Sequence, residues 1–423
     1  MRFTRKEIMQ DVYLTYLHQR KFKTCLLSVQ LITDLRRETA GFNALVPAVL
    51  RRGTMRHPDM ESLSAALDAL YGATIDYTVR KKGERQCVGF VAQCIDDAFA
   101  PGREKLLEPV TELLGELLLD PVTRNGRFMP AYVDSERQNL LDAIRSLKND
   151  KREWADVRLM QEMCADEPYG VLRLGDEDTV SRINHQKLYR HYQQLLTTAP
   201  VEIFYCGSAD ESRVETALLS ALASLPRGRV ARPEPIVLRR APEEPRYVVE
   251  EMDVTQGKLS MGWRCETDDI PAMIMANLLF GGSSNAKLFM TVREQLSLCY
   301  YASSGFARSK RIMTVSSGIE VKDYDRALAE ILHQLDLVRQ GQWEPWELES
   351  ARAAMESALT ALSDSQGAME NYCLGQNALG LDETPEELLA ALQSVTRERI
   401  MAAACAAHLD TVYFLKGKEE TPC

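Results

Sequence analysis

"LGDEDTVSRINHQKLYRHYQQLLTTAPVEIFYCGS", residues 174–208, has a counterpart in "LGLDETPEELLAALQSVTRERIMAAACAAHLDTVYFLKG", residues 379–417. Both begin on Leu-Gly, pass through an acidic capping stretch and start a helix, which the spacing predicts after Thr179 and after Thr384. A second helix follows in each, then a strand that closes on Gly207 or Gly417. Self-similarity at this distance is read before any motif, because it sets the architecture.

The correspondence extends upstream. "NALVPAVLRRGT" leads into "ESLSAALDALYGATIDYTV", and "AMIMANLLFGGS" leads toward "KLFMTVREQLSLCYYASS". Each pair reads as an apolar helix, a Gly-marked stop, a second helix and a strand. The β-rich "RQCVGFVAQCI" and "RIMTVSSGIEV" come next, each followed by an amphipathic helix and then by long helical sequence. This is a tandem duplication. Residues 225–246, "LPRGRVARPEPIVLRRAPEEPR", carry Pro and Arg without helical period and read as an extended linker. The predicted halves are therefore residues 1–224 and 247–423. Strands and helices that do not strictly alternate predict an α+β fold, with helices on one face of a mostly antiparallel sheet in each half.

Bulk properties narrow the function. The 423 residues hold 61 Asp and Glu against 51 Lys and Arg, which argues against a broad nucleic-acid surface or a polybasic membrane patch. No run of 18 or more apolar residues occurs, and the first residues lack the apolar core of a secretory signal, so the expected location is the cytosol. The ten cysteines include no C-x-x-C pair and read as buried thiols in a reducing compartment. The closest two of the six histidines, His185 and His191, are spaced so that one helix would not present both on the same face. "FGGSSNAK" and "QGKLS" match neither phosphate-binding glycine motif, which removes nucleotide binding.

The order of elements, the passage "EPYGVLRLGDEDTV" and the segment "GGSSNAKLFMTVREQLSLCYY" together resemble the pitrilysin or insulinase-like metallopeptidases, including the mitochondrial processing peptidases. The resemblance covers nearly the whole chain and implies the α/β sandwich of that group. Catalytic members hold zinc with H-x-x-E-H on the first helix of the first half. Two His four apart face one side of a helix, and the Glu between them activates metal-bound water. Anchored on Gly53 and Thr54, "FNALVPAVLRRGT" at residues 42–54 places Ala44 and Ala48 at the His positions and Pro47 at the Glu position. The family's third ligand, a Glu seven residues after a Glu-Arg pair, falls on Ala143, counting from Glu136-Arg137. Asp142, one position away, is turned by about 100° on a helix. Glu136 itself reads as a surface helix residue. No zinc is expected on this chain.

The resemblance implies that the second half keeps what the first has lost. "LFMTVREQLSLCYY" preserves Arg293 and Tyr300, which family members use to hold substrate beside the scissile bond. Their chemistry suits that role, since a permanently charged fork and a rigidly mounted neutral hydroxyl can both donate to a peptide carbonyl. Tyr301 alternates to the other sheet face. Some bacterial relatives work as two-chain enzymes in which the zinc-less chain supplies this pair. The expected function is the substrate-binding, non-catalytic subunit of a heterodimeric zinc peptidase, with zinc in the partner. The alternative is an inactive homodimeric scaffold or peptide-binding protein.

Overall fold

The computed structural model describes residues 3–417. Two sheets organise them. The first contains β1 (Thr4–Met9), β2 (Val12–His18), β3 (Thr24–Asp34), β4 (Thr74–Lys82), β5 (Arg85–Ile95) and β6 (Val201–Gly207), in the order β1-β2-β6-β3-β5-β4. The second contains β7 (Arg246–Met252), β8 (Gly257–Cys265), β9 (Cys299–Ala307), β10 (Ile312–Ile319) and β11 (Ala407–Gly417), in the order β7-β11-β8-β10-β9. Removing β1 makes the two orders equivalent, and in each the neighbour of the last strand, β2 or β7, runs parallel to it while the other pairs are antiparallel.

The helices repeat the same correspondence. The first half supplies α1 (Arg37–Leu50), α2 (Met60–Ala69), α3 (Leu107–Leu119), α4 (Pro130–Ser146), α5 (Lys151–Met163), α6 (Glu177–Ser181), α7 (His185–Thr198) and α8 (Glu211–Ala221). The second supplies α9 (Ile270–Asn277), α10 (Tyr324–Arg339), α11 (Pro345–Leu362), α12 (Gln366–Leu379), α13 (Pro385–Gln393) and α14 (Arg397–Cys405). Thr384 caps α13 in a capping box with Glu387, as its sequence predicts. Its counterpart differs: Asp176, not Thr179, caps α6, because the Asp176 carboxylate reaches the Thr179 N–H at 2.9 Å and starts the helix earlier.

The chain forms two compact units, and their boundaries depart from the expected division at residues 224 and 247. The first takes residues through 145, 171–235 and 362–382; the second takes 146–170, 236–361 and 383 onward. Each half therefore gives one helix away. α5 belongs with the second sheet and its counterpart α12 with the first. Residues 226–245 are without helix or strand, Arg246 already begins β7, and the first part of this stretch is tied to the first unit by Gly228 N–H to Thr197 O at 3.1 Å and Ala231 N–H to Thr198 O at 2.8 Å.

In the first unit, one sheet face packs Leu27, Val29 and Leu31 against Leu45, Val46 and Val49 of α1 and Leu113 and Leu117 of α3. Strand alternation turns Leu26 to the opposite face, where Leu17, Phe204 and Cys206 meet Met369 and Cys373 of α12. A half's own helices thus cover one face, as predicted, and the exchanged helix covers the other. Gln366, Glu370 and Asn377 line one side of α12. Gln366 Nε2 donates to the Thr24 and Cys206 carbonyls, both at 2.9 Å, and Asn377 Nδ2 donates to Thr15 Oγ1 at 3.0 Å and Glu202 Oε2 at 2.9 Å. Gly89 in β5 has no alternative, since a Cβ there would run into the Val29 carbonyl of β3.

The second unit repeats the layering. Leu259, Trp263, Met313 and Val315 pack against Ala272 and Met275 of α9 and Ile331 and Leu335 of α10. On the other face Tyr413 and Leu415 meet Ala155 and Leu159 of α5. Asp156 of α5 accepts from Ser260 Oγ at 2.8 Å, and burial raises its pKa.

Candidate functional site

α1 is buried on almost every side from Ala40 to Leu50, which is why its sequence is apolar all round rather than amphipathic. Ala44 and Ala48 are 2% and 7% exposed, and Pro47 is buried between them. Pro47 lacks the N–H that a helix interior would use, so even the backbone here is poorer than in a regular helix. None of the three side chains can ligate a metal or accept a proton.

Ala143, the position expected for a third ligand, carries no ligating atom either. Ala143 lies on the exposed side of α4, while Leu141 and Ile144 turn inward. Asp142 is exposed and occupied with its own helix, accepting from Gln138 Nε2 at 2.9 Å. Glu136 corrects the expectation of a surface residue. It is 9% exposed and accepts from Arg52 Nη1 and Asn139 Nδ2, each at 3.1 Å. The reason is Arg52, which follows the end of α1, brings a counter-charge to Glu136 and stacks over the Tyr132 ring at 4.9 Å. Among the described residues no group of three or more His, Cys, Asp or Glu could hold a metal. The residues present do not fit zinc.

Arg293 and Tyr300 lie in the second unit on adjoining elements. Arg293 falls in a π-helical stretch, Leu288–Gln295, preceded by another at Leu278–Gly282. Its guanidinium is part exposed, 3.4 Å from Glu294 and 4.6 Å from the Phe289 ring centre. Tyr300 is the second residue of β9, the edge strand of its sheet, and is 61% exposed. Its hydroxyl donates to Glu320 Oε1 at 2.8 Å, and that bond, then the carboxylate's charge, raises the phenol's pKa. Each member of the pair therefore has its own acidic neighbour. Tyr301 points to the opposite face, under Arg152 of the exchanged helix at 4.1 Å.

A family model described as "Peptidase M16 inactive domain" matches residues 182–355. The "Probable inactive metalloprotease YmfF" of Bacillus subtilis is 33% identical over 407 residues, which cover 94% of each chain. The chain belongs to the M16 peptidase family. Two solved structures share this fold along nearly the whole chain. A conserved protein from Enterococcus faecalis matches with a TM-score of 0.90 and 25% identity, covering 99% of this chain and 100% of that one. An M16 inactive domain from Pseudomonas fluorescens matches with a TM-score of 0.79 and 17% identity, covering 100% of both chains. By its match to that inactive domain and to an inactive relative, this M16 member is a non-catalytic, peptidase-like protein. No helix among its described residues is long and apolar enough to cross a membrane.

Glu320 escaped the sequence reading, although a signal existed. The β9–β10 hairpin pairs Tyr301 with Gly318, a register that brings Glu320 back beside Tyr300. Nothing local marks Glu370 or Gln366 as partners of the first sheet, because their contacts lie more than 150 positions away.

Proposed function

We propose that this chain is the substrate-binding subunit of a two-chain, zinc-dependent peptidase of the cytosol. Arg293 and Tyr300 hold the peptide, and a homologous chain with an intact H-x-x-E-H supplies the zinc. The observation that carries this reading is an asymmetry: Ala44, Pro47 and Ala48 lie in sealed apolar helix, whereas Arg293 and Tyr300 remain solvent-accessible and lightly engaged. Their present partners, Glu294 and Glu320, are surface contacts of the kind worth about 0–1 kcal/mol, so a peptide can displace them. π-helical turns such as those carrying Arg293 are uncommon and concentrate at functional sites. β9 offers an unpaired edge beside Tyr300, suited to an extended peptide adding as a further strand. The described cysteines are all free thiols, in keeping with a reducing compartment.

The chain is to be mixed with an H-x-x-E-H relative from the same source and assayed on unfolded peptides. Activity that needs both chains and falls with Arg293→Ala and Tyr300→Phe supports the reading. Native mass spectrometry showing a homodimer indifferent to that relative overturns it in favour of a scaffold.

A further inference from the structure

The fold brings together two cysteines that are 69 positions apart in the sequence. Cys25, the second residue of β3, and Cys94, the last but one of β5, are direct register partners. Their Sγ atoms are 3.0 Å apart, and the residues are 5% and 4% exposed. The register cannot slip. Asp96 N–H to Lys23 O at 3.0 Å fixes one end of the ladder, and Leu35 N–H to Glu84 O at 2.9 Å fixes the other. Directly opposed residues on antiparallel strands hold their Cα atoms about 4.5 or 5.5 Å apart, and either value lies inside the range of roughly 4.4–6.8 Å that a disulfide spans. The backbone therefore already has the spacing the bond needs.

We propose that Cys25 and Cys94 are a reversible oxidative-modification site, closed to a disulfide by a hydroperoxide and reopened by a dithiol reductant. One thiolate attacks a peroxide oxygen, the O–O bond breaks, and the sulfur becomes a sulfenic acid. The second thiolate attacks that sulfur, the S–S bond forms, and the S–O bond breaks. The two thiol protons leave in water, so two thiols and one hydrogen peroxide give one disulfide and two waters. The sulfurs lose the two electrons that the peroxide gains. A dithiol such as dithiothreitol reverses the exchange and ends as its own cyclic disulfide.

The position in the sheet sets the rate. The hydrogen bond with Cys94, then burial, push the Cys25 thiol well above its ordinary range, so the reactive thiolate is scarce while the ladder is closed. Beyond the pair only Thr24 and Ile95 complete the strands, both partly exposed, and Lys23 is exposed. Fraying at this end admits a small peroxide. Closure is then slower than oxidation of Cys405, which is exposed.

The full chain is treated with hydrogen peroxide, its free thiols are alkylated, and it is digested without reduction. Mass spectrometry is expected to find a cross-linked peptide pair containing Cys25 and Cys94, two hydrogens lighter than its parts and abolished by dithiothreitol. It forms after Cys405 has reacted, is absent in Cys94→Ser, and accompanies a reversible rise in Tm. Recovery of Cys25 and Cys94 as alkylated thiols or sulfinic acids, or cross-linked to Cys206 or Cys373, overturns the proposal. Should Cys94→Ser fail to fold, the peptide map of the unsubstituted chain decides alone.

Discussion

Arg80 of β4 grips Glu370 of α12 with both terminal nitrogens, Nη1 at 2.5 Å and Nη2 at 2.7 Å, while Ser28 Oγ donates to the same carboxylate at 2.8 Å. Glu370 is 3% exposed. A helix from the second half is thus fixed to a strand of the first by a buried carboxylate that accepts three hydrogen bonds. Removing one partner leaves the other charge stranded, which typically costs about 3–5 kcal/mol. Glu370→Ala and Arg80→Ala should each lower the unfolding free energy measured by denaturant titration by that order, and the double variant should lose less than their sum. Additive losses would show that the pair is not coupled.

Glu320 holds the Tyr300 hydroxyl that the proposed function gives to a bound peptide. Glu320→Gln weakens the hydrogen bond and removes the charge that together raise the phenol's pKa, so ultraviolet titration should find Tyr300 ionising at lower pH than in the parent. In the two-chain enzyme proposed above, the same variant is expected to lower KM, because the hydroxyl no longer has to leave a carboxylate. An unchanged phenol titration would remove Glu320 from the account.

His191 is mostly buried, its Nε2 lies 2.6 Å from Asn43 Oδ1, and desolvation lowers its pKa to about 4. Asn43 Nδ2 donates to Thr33 Oγ1 and Gln86 Oε1, so its Oδ1 is the acceptor and the neutral ring donates through Nε2. The unfolded chain binds this proton near pH 6.5, the folded one only near 4. The contribution is complete above pH 6.5 and is lost as pH falls toward 4, amounting to about 3 kcal/mol. His191→Gln should flatten the fall of Tm across that window. A parallel fall in both proteins would assign the acid sensitivity to other groups.

Metal analysis offers a direct check on α1. The purified chain should carry no stoichiometric zinc, and a chelator should leave its Tm unchanged. Ala44→His with Ala48→His should destabilise the chain, because each imidazole enters a sealed helix face. Tight zinc binding by the parent chain would contradict the reading of Ala44, Pro47, Ala48 and Ala143.

The duplicated architecture was legible because it is written in local periodicity: apolar helices, Gly stops and alternating strands recur in the same order in both halves. That Ala44, Pro47 and Ala48 carry no metal-ligating or proton-accepting atom is plain from the side chains alone. Long-range choices were not legible. Glu136 looks like any helix-surface acid until Arg52 is placed beside it, and neither Glu370 nor Cys94 carries a local sign of its distant partner. The one-helix exchange was hidden for the same reason. α5 and α12 are helical by pattern in either position, and only the two sheets decide where they rest.

That exchange has a consequence for synthesis on the ribosome. The strands of the first sheet are complete once Gly207 has been made, yet the helix that covers its second face ends only at Leu379. For the intervening stretch of translation, Leu17, Leu26, Phe204 and Cys206 lack their cover and stand as a greasy surface on a nascent chain. A cut at the linker would leave each product without the helix that covers the second face of its own sheet.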